Sequence, residues 1–144
     1  MIIRILTLFI SAILIGGSSK AQSTITVNIN NVRNSNGVCC VLLFSNASAF
    51  PGDARKAVAS KVVKAQKGLR NIQFEKIPPG TYAVAVIHDE NGDGKLNTNF
   101  FGIPKEGYGA SNNNLPMTSA PKFNGSSFTV SGKDKTLDIG LKYF

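Results

Sequence analysis

From Phe74 to Asp89 the chain reads FEKIPPGTYAVAVIHD, and no other stretch limits its fold as tightly. Pro78-Pro79-Gly80 removes two backbone donors and forces a turn, so one extended segment ends at Ile77 and another starts behind the turn. Beyond it Tyr82, Val84 and Val86 alternate with Ala83 and Ala85, the period-two pattern of a strand with one face in a core. STITVNINNV repeats that alternation through Ile25, Val27 and Ile29, while GVCCVLLF is apolar throughout and reads as a central strand covered on both faces. SKVVKAQ, NIQFEKI, SSFTVSG and KTLDIGLKYF supply four more strands. Phe50 to Ala59, FPGDARKAVA, is the one helical segment, with Pro51 and Asp53 suited to its first turn. About seven strands, one short helix and no strand–helix alternation predict an all-β fold. The expected form is an antiparallel immunoglobulin-like or prealbumin-like β-sandwich. A membrane barrel would need alternation nearly everywhere, and residues Asn97 to Gly125 have none.

The opening MIIRILTLFISAILIGGSSKAQS has the layout of an export signal: Arg4, an 11-residue apolar run from Ile5 to Ile15, then small residues at Ser19 and Ala21. The run is too short to span a bilayer, which takes roughly 20 residues. Residues 1–21 are therefore expected to be a cleaved signal peptide, with residues 22–144 forming a single β-sandwich domain in the periplasm or outside the cell. No membrane span should remain after cleavage. The residue directly after the cleavage point is Gln22 and not cysteine, which argues against a lipid anchor. Losing Arg4 and Lys20 lowers the chain's sixteen Lys and Arg to fourteen, against eight Asp and Glu, a net of +6. Six of these bases, Arg55, Lys56, Lys61, Lys64, Lys67 and Arg70, fall within 16 residues. Such a run attracts anionic lipids, acidic glycans or nucleic acid. Export sets nucleic acid aside, no aromatic interleaves the bases, and a lysine-rich strand edge that resists mispairing is the plainer reading. Cys39 and Cys40 are the only cysteines, and as strand neighbours they point to opposite faces. That geometry disfavours a disulfide between them and a tetrahedral zinc site.

Residues 88–109 read HDENGDGKLNTNFFGIPKEGYG. Asp89, Asn91, Asp93 and Gly94 follow D-x-N-x-D-G, the first half of an EF-hand-type calcium loop, in which oxygens at alternate positions converge on the concave side of a bend. The Lys95 carbonyl and Asn97 would complete the near half. Position twelve, where a bidentate glutamate belongs, is Phe100, so Glu106 would have to substitute, and the expected site is weak, on the order of 10⁻⁴–10⁻³ M. Asn91-Gly92 and Asp93-Gly94 are also leading hairpin dipeptides, and a bare turn fits the same residues. The long segment from Asn97 to Gly125 carries too many apolar residues for a disordered loop, so these either pin it to the sandwich or form a ligand surface. Phe100, Phe101, Ile103 and Tyr108 are candidates for such a surface, with His88, the chain's one histidine, beside them. By alternation His88 shares a face with Tyr82, Val84 and Val86, where a histidine is expected first to hold a loop through hydrogen bonds to neighbouring backbone. It could instead be a metal ligand, or a base with nearby carboxylates in a hydrolase, although no serine stands out as its nucleophile and no cofactor motif is present.

The stretch YAVAVIHDENGDGKLNTNFFGIPKEGYGASNN resembles the signature of a bacterial secreted family catalogued as domain of unknown function 2141: a strand ending in His-Asp, an Asn-Gly-rich turn and a Phe-Gly-Ile-Pro-Lys-Glu-Gly continuation. The resemblance runs over nearly the whole mature chain and implies an exported β-sandwich. IPPGTYAV is similar to a shorter motif of prealbumin-like and surface-protein B-repeat sandwiches, some of which bind calcium through Asp- and Asn-rich loops. The expected function is a non-enzymatic exported module, stabilised by calcium if the weak site fills, that serves in binding, adhesion or structure at the cell envelope. The alternative is a carrier holding a small apolar ligand, a lipid or pigment, under the 97–125 loop.

Overall fold

The computed structural model describes residues 21–144. The expected signal peptide lies outside the described residues apart from its last, Ala21. Eight strands form two sheets. They are β1 (Ser23–Val32), β2 (Val38–Phe44), β3 (Ala59–Lys64), β4 (Gly68–Ile77), β5 (Gly80–Asp89), β6 (Gly107–Ala110), β7 (Phe128–Val130) and β8 (Lys135–Gly140). The first sheet runs β4-β1-β8 and the second β3-β2-β5-β6, with β7 pairing the first residues of β5. No helix among the described residues is long and apolar enough to cross a membrane.

The alternating residues meet between the sheets. Ile25, Val27 and Ile29 of β1, with Ile72 and Phe74 of β4 and Ile139 of β8, face Cys39, Val41 and Leu43 of β2 and Val84 and Val86 of β5, all buried. Register enforces this, because Cys39 lies opposite His88, Val41 opposite Val86 and Leu43 opposite Val84. Each such aliphatic side chain contributes about 1.5–3 kcal/mol relative to exposure. Tyr82 packs in the same core while its hydroxyl donates to the Pro78 carbonyl at 3.0 Å, which ties the Pro-Pro-Gly turn to the strand behind it.

Three expectations need correcting. The strands number eight, because β6 lies inside the segment expected to hold none. Its inward positions are Gly107 and Gly109, which leave room for Tyr143, Ile139 and Leu141. The pairing is not wholly antiparallel, because β1 and β8 run parallel from Ile25↔Lys135 to Asn30↔Gly140. The helix expected over residues 50–59 shrinks to one 3-10 turn, Ala54–Lys56, with Asp53 accepting from the Arg55 N–H. Phe50 and Ala57 pack on the outer face of the second sheet, while Val58 N–H bonds the Leu43 carbonyl and Ala59 already belongs to β3 and the main core, so the segment is drawn out as strand before a longer helix can form. Between β3 and β4 the chain crosses from the second sheet to the first, at the edge of the sandwich.

The outer face of the second sheet is covered on one half only. Leu42, Phe44 and Ala85 are buried under Ala49, Phe50, Ala57 and Phe123. The neighbouring cross-strand row, Val62–Cys40–Ile87–Tyr108, has no such cover and stays half-buried or exposed.

Candidate functional site

Asp89 ends β5 fully inside the loop that follows it. One carboxylate oxygen accepts the N–H groups of Gly92 at 2.7 Å and Asp93 at 3.2 Å, and the other accepts Gly94 N–H at 2.8 Å. Wrapping the chain this tightly around one side chain requires positive φ at Gly92 and Gly94, +72° and +75°. Asn91 Oδ1 then accepts the Asp93 N–H and Asp93 Oδ1 the Lys95 N–H, two successive Asx turns. Asn91 Nδ2 donates to Asp93 Oδ2 and Asn97 Oδ1, and Asn97 Nδ2 donates to Asp93 Oδ2. These hydrogen bonds, from the Asn97 amide first and then the Lys95 N–H, hold the Asp93 carboxyl below its usual range.

Glu106 reaches this loop from its far end, as an acceptor for backbone N–H groups. It is buried, and its two oxygens accept the N–H groups of Glu90 and Asn97, both at 2.9 Å. Of the six residues expected around a cation, Asn91, Asp93 and Asn97 hydrogen-bond one another, Lys95 donates its N–H to Asp93, and the buried carboxylates of Asp89 and Glu106 clamp the loop at its two ends. Among the described residues no three acidic, His or Cys side chains gather as a metal site.

From Asn97 to Lys105 the chain forms a small hairpin. Lys105 N–H donates to the Asn97 carbonyl, Thr98 bridges Pro104, and Asn99 N–H donates to the Ile103 carbonyl. Asn99 Oδ1 accepts the N–H groups of Phe101 and Ile103 and so fixes the turn. Phe100 and Phe101 stand at its end in an edge-to-face pair, 98% and 82% exposed. They do not pin the loop to the sandwich, because its polar bonds already hold it.

Below this hairpin lies a groove of about 600 Å³ on the uncovered half of the second sheet. Ile87 and Tyr108 form its floor, Phe101, Ile103 and Pro104 one wall, and Met117 the opposite wall. Phe144 closes one end and stacks on Tyr108 with centroids 6.0 Å apart. No charged residue among those described lines it. Of the expected surface residues, Phe101, Ile103 and Tyr108 belong to the groove and Phe100 stands just beyond it. Met117 and Phe144 were missed, because nothing local in the sequence shows that positions 14 and 41 residues beyond Ile103 return to it.

His88 is corrected as a surface residue. It shares the inner face with Val84 and Val86, is fully buried, and turns its back on the groove. Nε2 lies 2.8 Å from the Asn36 carbonyl, which can only accept, so the hydrogen sits at Nε2 and Nδ1 accepts from the Tyr143 hydroxyl at 2.8 Å. That hydroxyl accepts the Arg33 N–H. The Arg33 guanidinium lies over the Tyr143 ring and grips Glu90 through two bonds of 2.6 and 2.7 Å. The network joins β5, the turn after β1 and the C-terminal segment. A ring buried on the inner face has no approach to a substrate held in the groove.

No curated protein and no solved structure matches the chain. Residues 27–138, spanning the strands of both sheets, the clamped loop and the hairpin, match the family described as "Uncharacterized protein conserved in bacteria (DUF2141)". The chain belongs to that bacterial family.

Proposed function

We propose that this chain is a non-catalytic exported binding module that holds a small, uncharged apolar ligand in the groove beneath the 97–105 hairpin. The observation that carries the reading is the groove itself. Its volume falls within the roughly 300–1,000 Å³ typical of small-molecule sites. Its lining is mainly apolar, and the sheet row beneath it has no other cover. The hydroxyls of Thr98, Tyr108, Thr118 and Ser119 would orient a ligand through one or two polar atoms without demanding charge. Titration with the neutral fluorophore N-phenyl-1-naphthylamine tests this. Saturable enhancement is expected, weakened about tenfold or more when a charge enters the wall in Ile103→Lys or Met117→Lys, both exposed enough to leave folding intact. No saturable signal, or equal binding by both variants, would overturn the reading.

A second reading concerns calcium and is favoured by the convergence of Asn91, Asp93 and Asn97, whose side chains hydrogen-bond one another at 2.9–3.2 Å. Turning the two amides over would present their oxygens beside Asp93 Oδ2, with Asp89, Glu106 and the Lys95 carbonyl nearby in sequence or contact. An ion held there would stiffen the groove wall that begins at Leu96. Calorimetric titration with calcium at millimolar concentration should then release or absorb heat and raise the melting temperature. Neither effect at that concentration would end the reading.

A further inference from the structure

We propose that the Phe100–Phe101 end of the hairpin is a docking tip for an anionic phospholipid bilayer, inserting at the boundary between headgroups and acyl chains. Independently of whether the groove carries a ligand, the tip leaves two aromatic rings in water at the end of a segment whose backbone is already fixed by Asn99 and Glu106. Exposed apolar surface of this kind marks a contact site when it is concentrated, and here it is. Among the described residues seven large apolar side chains are exposed; Phe101, Ile103, Met117 and Phe144 line the groove and Phe100 packs edge-to-face on Phe101, leaving only Val58 and Val62 elsewhere.

Charge selects the occupant. Exposed Lys95 and Lys105 flank the hairpin and exposed Lys122 follows the opposite wall, and none of the three forms an ion pair among the described residues. Of the carboxylates in the same loop, Glu90 is paired with Arg33, Asp89 and Glu106 are buried and accept the loop's own N–H groups, and exposed Asp93 accepts from Asn91, Lys95 and Asn97. Apolar rings ahead of cationic flanks match a deformable anionic lipid surface, which draws in basic residues and accepts apolar ones. A protein partner would need a complementary surface of about 800 Å² on each side, and a two-residue convex tip offers little of that. A second copy that received the tip in its own groove would show as self-association lost with the tip, an outcome the Phe100→Ser variant distinguishes.

The chain contains no tryptophan, so Phe100→Trp places a unique fluorescent reporter at the tip. With the purified protein and vesicles of phosphatidylcholine and phosphatidylglycerol, the indole emission of this variant should shift to the blue and be quenched by lipids brominated on their acyl chains. Phe100→Ser should float with the vesicles about tenfold less than the parent protein while melting at the same temperature. Because Phe100 does not line the groove, this serine variant should still bind the neutral fluorophore, which separates failure of the tip from failure of the groove. Equal flotation by parent and Phe100→Ser, or an indole that bound brominated vesicles leave unquenched, would overturn the proposal. So would self-association abolished by Phe100→Ser without any binding to vesicles.

Discussion

Replacing Asp89 with asparagine changes one atom of a side chain and tests whether its carboxylate exists to hold the loop or to hold an ion. In the structure that carboxylate accepts three N–H groups, from Gly92, Asp93 and Gly94, inside a buried pocket. Asparagine keeps one acceptor oxygen and turns an NH₂ group toward the remaining N–H, so at least one bond is lost and two donors face each other. A hydrogen bond to a charged group contributes about 1.5–3 kcal/mol, and a buried donor left without a partner costs about 1–3 kcal/mol. Gly94 is exposed, and water can take over its N–H, so the loss should sit near the low end, about 2 kcal/mol. In a domain of this size that lowers the melting temperature by roughly 5–10 °C. The measurement is a thermal melt by circular dichroism in excess chelator, with Asp93→Asn alongside. Asp93 is exposed and accepts mostly from side-chain amides, so its variant should melt closer to the parent. An Asp89→Asn protein that melts with the parent in chelator, and falls behind only when calcium is added, would refute the argument: the carboxylate would then serve an ion and not the backbone.

Two more predictions concern groups away from the groove. The Arg33 hydrogen bonds, helped by Asn34, hold the Glu90 carboxyl below its ordinary value of 4.5. A lowered folded value means the contribution is present above about pH 4.5 and is lost as pH falls through the lower folded value. Glu90→Gln should therefore cost about 1 kcal/mol near neutrality, because the pair is only partly buried. The gap between the two melting curves should narrow on acidification; a gap that stays constant from pH 7 to 3 would contradict the assignment. Burial pushes the Cys39 thiol up to about 11 and also raises Cys40, the latter with help from Asp89 and Glu106. At pH 8 the Cys39 thiolate is then about one part in a thousand. Iodoacetamide should reach half-exposed Cys40 slowly and Cys39 only after unfolding, as read by peptide mass spectrometry; equal native labelling would contradict this.

The strands visible in the sequence are those whose inward residues are themselves apolar. β1 and β5 declare a buried face because Ile25, Val27 and Ile29, or Tyr82, Val84 and Val86, fill it unaided. β6 declares nothing, because its inward positions are glycines and the volume beneath them is filled by Ile139, Leu141 and Tyr143 from the far end of the chain. The parallel pairing of β1 with β8 was hidden for a related reason: alternation reports which side chains face inward, not the direction in which the neighbouring strand runs. Residues 50–59 carried good helix-start signals, yet these lost to strand pairing, because Val58 and Ala59 are held extended against Leu43 of β2.

The candidate site divides the same way between local and distant causes. D-x-N-x-D-G was legible because its geometry is decided within six residues, each oxygen meeting an N–H two to five positions ahead. That local closure also explains the outward-facing phenylalanines. A loop of this length can be ordered by apolar anchors or by buried acceptors for its N–H groups, and here Asp89 and Glu106 supply the second kind. With order already secured by two carboxylates, Phe100, Phe101 and Ile103 are not needed as anchors. They are free to face water, a ligand or a lipid surface.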